Sequence, residues 1–102
     1  MSGANPHRGE AALPVDGRLV TLRPSFTALV AAEEELGPLF ALVERAARGE
    51  LRLAEVATLF WHCAVDRDAT SREALGEAVL AMGLAAAATP LQALLRQILR
   101  GA

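Results

Sequence analysis

The side chains of this sequence that could carry out chemistry include one adjacent pair, His62 and Cys63. A thiol nucleophile and its base would need these two residue types. Both lie in a stretch whose apolar residues have helical spacing, and neighbours on a helix point in different directions. Cys63 falls on the apolar stripe of that stretch. We therefore expect a buried core thiol, whose pKa is raised by burial, and no nucleophile.

The acidic residues also lack the arrangement of a catalytic or metal site. The run from Glu33 to Glu35 points its carboxylates about 100° apart on a helix, which favours a solvated face over convergence on one ion. Asp66 and Asp68 lack the glycine and the distant glutamate of a calcium-binding loop. The sequence predicts no catalytic residue, no metal ligand, no cofactor and no enzymatic activity.

Length and composition limit the other function classes. The chain has 102 residues, of which 53% are hydrophobic and 22% charged, so disorder is excluded for most of it. The net charge is −2, and the ten basic residues, all arginine, are scattered from Arg8 to Arg100, which argues against nucleic-acid binding. No apolar run is long enough to span a bilayer, and the N-terminus lacks the apolar core of a signal peptide. We expect a cytoplasmic protein with no membrane partner.

The elements that must position these side chains begin with a predicted β-hairpin. Residues 1–9 are expected to be a flexible leader, and residues 10–102 a single small domain. Apolar residues alternate on both sides of Asp16-Gly17, which is typical of a hairpin with a type I′ turn. Pro14 cannot donate a backbone hydrogen bond, so the first strand is expected at an edge, where a strand from a second copy could be added.

The sequence after the hairpin has the spacing typical of helices. Ser25 is predicted to cap the first helix. Thr70 and Glu73 are predicted to form a capping box before the fourth helix, and Thr89 with Pro90 to begin the fifth. The predicted fold class is α+β and mostly helical, with an N-terminal β-hairpin followed by about five short α-helices.

Apolar stripes predict which face each helix buries. The stripe of the first helix consists of Phe26, Leu29, Val30 and Leu36. The third helix is predicted from about Leu53 to Val65, and its stripe consists of Val56, Ala57, Phe60, Cys63 and Ala64.

Several apolar residues fall outside these stripes or on the edge strand. Leu59 and Trp61 are off the stripe of the third helix, which has two explanations. Either this helix is central and buried all round, or it presents a contact surface on which Trp61 is an anchor. The predicted partner-binding residues are Trp61, Leu59, Phe40, Leu99, Leu13 and Val15.

Short strings spread along the chain resemble the gene transfer agent family of small tail proteins. They are Asn5-Pro6-His7-Arg8-Gly9-Glu10, the strand pair around Asp16-Gly17, Glu34-Glu35-Leu36-Gly37 and Leu80-Ala81-Met82-Gly83-Leu84. The family is similar to phage tail assembly chaperones. The resemblance therefore implies a non-enzymatic chaperone that binds the tape measure protein during tail assembly, and also binds itself. It brings no residue-level functional motif.

Two other functions stay open at this point. One is a structural tail component that is retained in the finished particle. The other is a host-side interaction module, such as a toxin-neutralising or regulatory partner. The expected partners are the tape measure protein, other tail proteins and a second copy of this chain. The expected location is the cytoplasm of the producing bacterium, or the phage-like particle for the structural alternative.

Overall fold

A computed structural model describes residues 10–101, so the predicted leader at 1–9 lies outside the described residues. The elements, in chain order, are β1 (Ala11–Val15), β2 (Arg18–Leu22), α1 (Phe26–Leu36), α2 (Leu39–Ala47), α3 (Leu53–Cys63), a short 3₁₀ turn (Arg67–Ala69), α4 (Arg72–Met82) and α5 (Leu84–Arg100). The predicted hairpin followed by five helices is confirmed. Within residues 10–101, no helix has the combined length and apolar character that crossing a bilayer requires.

The hairpin forms because Asp16 and Gly17 both take positive φ values, 50° and 77°, as a type I′ turn requires. β1 pairs antiparallel with β2, and Val15 lies opposite Arg18 next to the turn. Hydrogen-bonded and non-hydrogen-bonded pairs alternate from that point, so the backbone of Pro14 faces away from β2. Pro14 therefore removes a donor from the outer edge of β1, which limits strand addition there.

The outer edge of β2 is held by the chain that follows α3. The backbone N–H of Arg23 donates to the Cys63 carbonyl at 2.6 Å, and the N–H of Val65 donates to the Thr21 carbonyl at 2.9 Å. Ala64 also forms a bridge with Leu22. These bonds explain why α3 ends at Cys63 and not at Val65 as predicted, since the chain becomes extended to pair with β2.

Helix α3 lies at the centre of the fold. It packs against α1 and α4, and its buried residues, which surround the helix, are Val56, Ala57, Leu59, Phe60, His62 and Cys63. Two explanations were given for the off-stripe residues of this helix. For Leu59, which is buried, the structure supports the one in which α3 is central and buried all round. The inward face of the hairpin completes this core with Leu13 and Val15.

Helix α1 begins at the predicted cap but buries a different face. The Ser25 hydroxyl accepts from the Ala28 N–H at 3.2 Å, whereas Phe26 is 84% exposed and Val30 is also exposed. The helix instead buries Ala28 and Ala32, which share a face with Glu35. The stripe prediction was wrong for Phe26 and Val30, whereas Leu29 and Leu36 pack against the core as predicted. The face that α1 turns inward also carries Glu35, whose contacts are described below.

The starts of the last two helices also differ from prediction. Ser71 caps α4 in place of Thr70, accepting from the Ala74 N–H at 3.0 Å. Helix α5 begins after Gly83, six residues earlier than predicted, and Pro90 lies inside it. The alanine-rich segment has high helix propensity, and burial of Pro90 in the core offsets the hydrogen bond that proline cannot donate.

Two glycines test these backbone assignments. Gly76 lies inside α4, where an added Cβ would meet the Ala57 Cβ at an ordinary 3.9 Å, whereas Gly17 has φ +77° with open space around it. We expect Gly76→Ala to raise the free energy of unfolding by about 0.5–1 kcal/mol. We expect Gly17→Ala to lower it by about 1 kcal/mol, because the left-handed conformation is unfavourable for alanine. Urea denaturation followed by circular dichroism measures both, and shifts of equal sign would contradict this account.

Candidate functional site

Helices α2 and α5 face each other across an open apolar groove of about 500 Å³. Val43, Ala46 and Ala47 of α2 form one wall. Leu91, Leu95 and Leu99 of α5 are the apolar residues of the other. The residues that line this groove are mainly aliphatic, which suits contact with another apolar surface.

A second recess extends the groove along α5. It is lined by Leu51 and Leu84 and shares Ala46, Ala88 and Leu91 with the first. The combined surface runs from Leu84 to Leu99, about 22 Å at the rise of an α-helix. We call it the α2–α5 groove. It is long enough to accommodate about four turns of a partner helix.

The groove is open because each helix uses only part of its apolar face for the core. Leu42 is the buried residue of α2, while Val43, next to it, is only half-buried. Helix α5 buries Leu94, and Leu99, five residues further on, is 57% exposed. The remaining apolar face of each helix is therefore directed at the groove.

Two arginines at the α5 end give the groove a basic rim. Arg96 and Arg100 line it together with the apolar residues. In the described part of the chain, Arg18, Arg23, Arg45, Arg48 and Arg72 make ion pairs with carboxylates. No such pair involves Arg96 or Arg100 within residues 10–101. An apolar floor with these two cations at its rim suits an amphipathic helix that carries acidic residues.

The six predicted partner-binding residues separate into three groups. Phe40 and Leu99 are exposed, and Phe40 lies one turn before Val43 on α2, so both are near the same end of the groove. Leu13, Val15 and Leu59 are almost completely buried. Because these three belong to the core, their side chains are not available to a partner in this fold.

Trp61, the sixth residue, joins α3 to the start of α4. Its indole N–H donates to the Thr70 carbonyl at 2.8 Å. The guanidinium of Arg72 lies 4.4 Å from the centre of the indole ring, within the range of a cation–π contact. Trp61 is only half-buried, but its contacts are made within the chain.

Sequence reasoning missed a polar cluster next to Trp61, formed by Glu35, His62 and Arg72. The His62 Nε2 lies 2.6 Å from Glu35 Oε1. Arg72 binds the same carboxylate with both terminal nitrogens, at 2.6 and 2.5 Å. The hydrogen bonds from Arg72 and then from His62 lower the pKa of Glu35 from 4.5 to about 2. The cluster joins α1, α3 and α4, and no local pattern indicates a pairing between residues 37 positions apart.

The groups singled out for chemistry have structural contacts. Burial raises the pKa of Cys63 to about 12, which disfavours a thiolate, as the sequence predicts. His62 is engaged by Glu35 through Nε2. Among residues 10–101, no group of three or more His, Cys, Asp or Glu side chains is arranged to hold a metal ion.

The Glu35 cluster predicts a specific pH dependence of stability. Because the folded pKa is about 2 and the ordinary value is 4.5, the stabilisation is complete above about 4.5 and is lost as the pH falls toward 2. We expect Glu35→Gln to lower the melting temperature at neutral pH, and the difference from the wild type to shrink on acidification. The exposed Glu77→Gln is the matched control. A difference that is independent of pH would contradict the assignment.

Trp61 is expected to contribute to stability through its ring and its N–H. Trp61→Ala should lower the free energy of unfolding by about 2–3 kcal/mol, less than a fully buried tryptophan. Trp61→Phe, which loses the hydrogen bond to Thr70, should lower it by about 1 kcal/mol. Phe40→Ala, at an exposed position, should change it by less than about 0.5 kcal/mol. Equal effects of Trp61→Ala and Phe40→Ala in urea denaturation would show that Trp61 does not hold α3 to α4.

Comparison with known families supplies the context for this surface. Residues 8–101 match the profile of the family described as "Phage tail tube protein, GTA-gp10". Comparison with curated proteins and with solved structures gave no match. The family match includes the hairpin and all five helices described above, and it supports the resemblance to gene transfer agent tail proteins without extending to chaperones. The chain therefore belongs to the phage tail tube protein family GTA-gp10.

Proposed function

We propose that this protein is a non-enzymatic structural component of a phage-like gene transfer agent tail, and that it acts by binding other tail proteins. The observation that carries this proposal is the family match over residues 8–101, whose description is that of a tail tube protein. A structural component is retained in the finished particle. Its location is therefore the particle itself, after synthesis in the cytoplasm of the producing bacterium.

The surface of the described fold supports a function in protein binding. The α2–α5 groove offers aliphatic walls and a basic rim, and Phe40 and Leu99 add exposed apolar area at one end. Contiguous apolar area of this kind is typical of interaction sites. The buried thiol of Cys63 and the hydrogen bond between His62 Nε2 and Glu35 support a role without catalysis.

A tail assembly chaperone is the second candidate, and the shape of the groove favours it. A chaperone must cover helical segments of the tape measure protein and later release them. An open groove about four turns long, with half-buried leucines along one wall, would bind an amphipathic helix through many modest contacts. The two candidates thus use the same surface and differ in whether the chain stays in the tail.

The composition of purified particles distinguishes the two candidates. We expect quantitative mass spectrometry to find this chain at a fixed stoichiometry with the other tail proteins, which supports the structural role. Its presence in lysates during assembly together with its loss from purified particles would support the chaperone. Particles assembled without the gene are the control. If a strain that lacks the gene still assembles normal tails, both candidates would be overturned.

A further inference from the structure

We propose that the exposed face of α1 in one copy of this protein binds in the α2–α5 groove of another copy. This inference rests on the proposed tail role and deepens it, because it assigns both surfaces of a contact between copies. The contact requires that α1 expose apolar and acidic side chains and that the groove expose apolar and basic ones. It also requires that the two surfaces do not contact each other within one chain.

Helix α1 presents such a face. Phe26 and Val30 are exposed, and Glu34, which is also exposed, follows at the same spacing of four residues, so the three lie along one side of the helix. Glu33 is exposed beside them. An exposed phenylalanine that is followed by carboxylates is an amphipathic pattern for docking into a groove.

The groove offers the complement in the same order. Leu91 and Leu95 precede Arg96 and Arg100 along α5. If α1 of one copy runs parallel to α5 of the next, Phe26 contacts the leucines and the Glu34 carboxylate approaches the arginines. Both helices rise about 1.5 Å per residue, so the distance from Phe26 to Glu34 along α1 is close to the distance from Leu91 to Arg100 along α5. Opposite charges at the rim of an apolar contact fix the register of docking.

The charge available on α1 is that of Glu34, because the Glu33 carboxylate already accepts a hydrogen bond from the Leu39 backbone N–H at 3.0 Å. Within residues 10–101, neither Glu34 nor the two groove arginines make an ion pair, whereas the arginines on helices α2 and α4 do. Helix α1 cannot rotate to change this, because Ala28 and Ala32 are buried and Glu35 is bound to Arg72. A second copy can therefore satisfy both surfaces, and the contact joins two different patches of the chain.

Charge reversal in the 102-residue chain tests the proposal. We expect the weight-average sedimentation coefficient to increase with protein concentration. At high concentration it should exceed the value of the 10.7 kDa monomer. Phe26→Ala should weaken the association at least about tenfold, as expected for an aromatic anchor. Glu34→Arg and Arg96→Glu should each weaken it when measured alone, because each places like charges together.

Mixing the two charge variants is the decisive measurement. In the mixture, α1 of the Glu34→Arg variant meets the groove of the Arg96→Glu variant, so the two substituted side chains have opposite charges. In the reverse contact, Glu34 of one variant meets Arg96 of the other. Association should therefore return. The controls are Leu19→Ala and Glu77→Arg, at exposed positions on β2 and α4, which should associate like the wild type. Circular dichroism checks that every variant is folded. A protein that stays monomeric at all concentrations, or a mixture that associates no better than its components, would overturn the proposal.

Discussion

The bond between Glu35 and two side chains from other helices determines how α1 is oriented. His62 comes from the central helix and Arg72 from the first turn of α4, and both reach the same carboxylate. Because Ala28 and Ala32 share the face of Glu35, the small residues of α1 are buried. Phe26 and Val30 are consequently left outside. The polar junction and the buried alanines together keep one face of α1 against the core and leave Phe26 and Val30 at the surface.

The junction is effective because the other elements around it are also constrained. Trp61 holds the start of α4 through the Thr70 carbonyl, which places Arg72 within reach of Glu35. At the same C-terminal end, α3 is bound to β2 through the hydrogen bond from the Arg23 backbone N–H to the Cys63 carbonyl. The central helix thus connects the hairpin, α1 and α4. By comparison, α2 has few contacts with the rest of the fold, and its apolar side faces the groove beside α5.

This arrangement explains how a small domain leaves apolar surface exposed. A core of leucine, valine and alanine side chains with Phe60 leaves other apolar residues exposed, among them those of the α2–α5 groove and of the outer side of α1. Both are apolar with charged margins, and the margins have opposite sign. The family match places the chain among phage tail proteins. The groove and the α1 face both have a composition suited to contacts between proteins.

Local signals in the sequence were sufficient for the fold class, the hairpin and the number of helices. Asp16-Gly17 dictates its own turn, and Ser25 supplies its own cap, because these effects depend only on neighbouring residues. The buried stripe of α3 and the buried Cys63 also follow from periodicity. Of the candidate contact residues, the sequence placed Phe40 and Leu99 on the surface but also named three core residues. Only the tertiary structure decided the rotation of α1, the early start of α5 and the burial of Leu13, Val15 and Leu59. These three features depend on contacts between residues far apart in the chain. The free energy of such tertiary contacts can exceed local helix or strand propensity, so neighbouring residues alone do not predict the outcome.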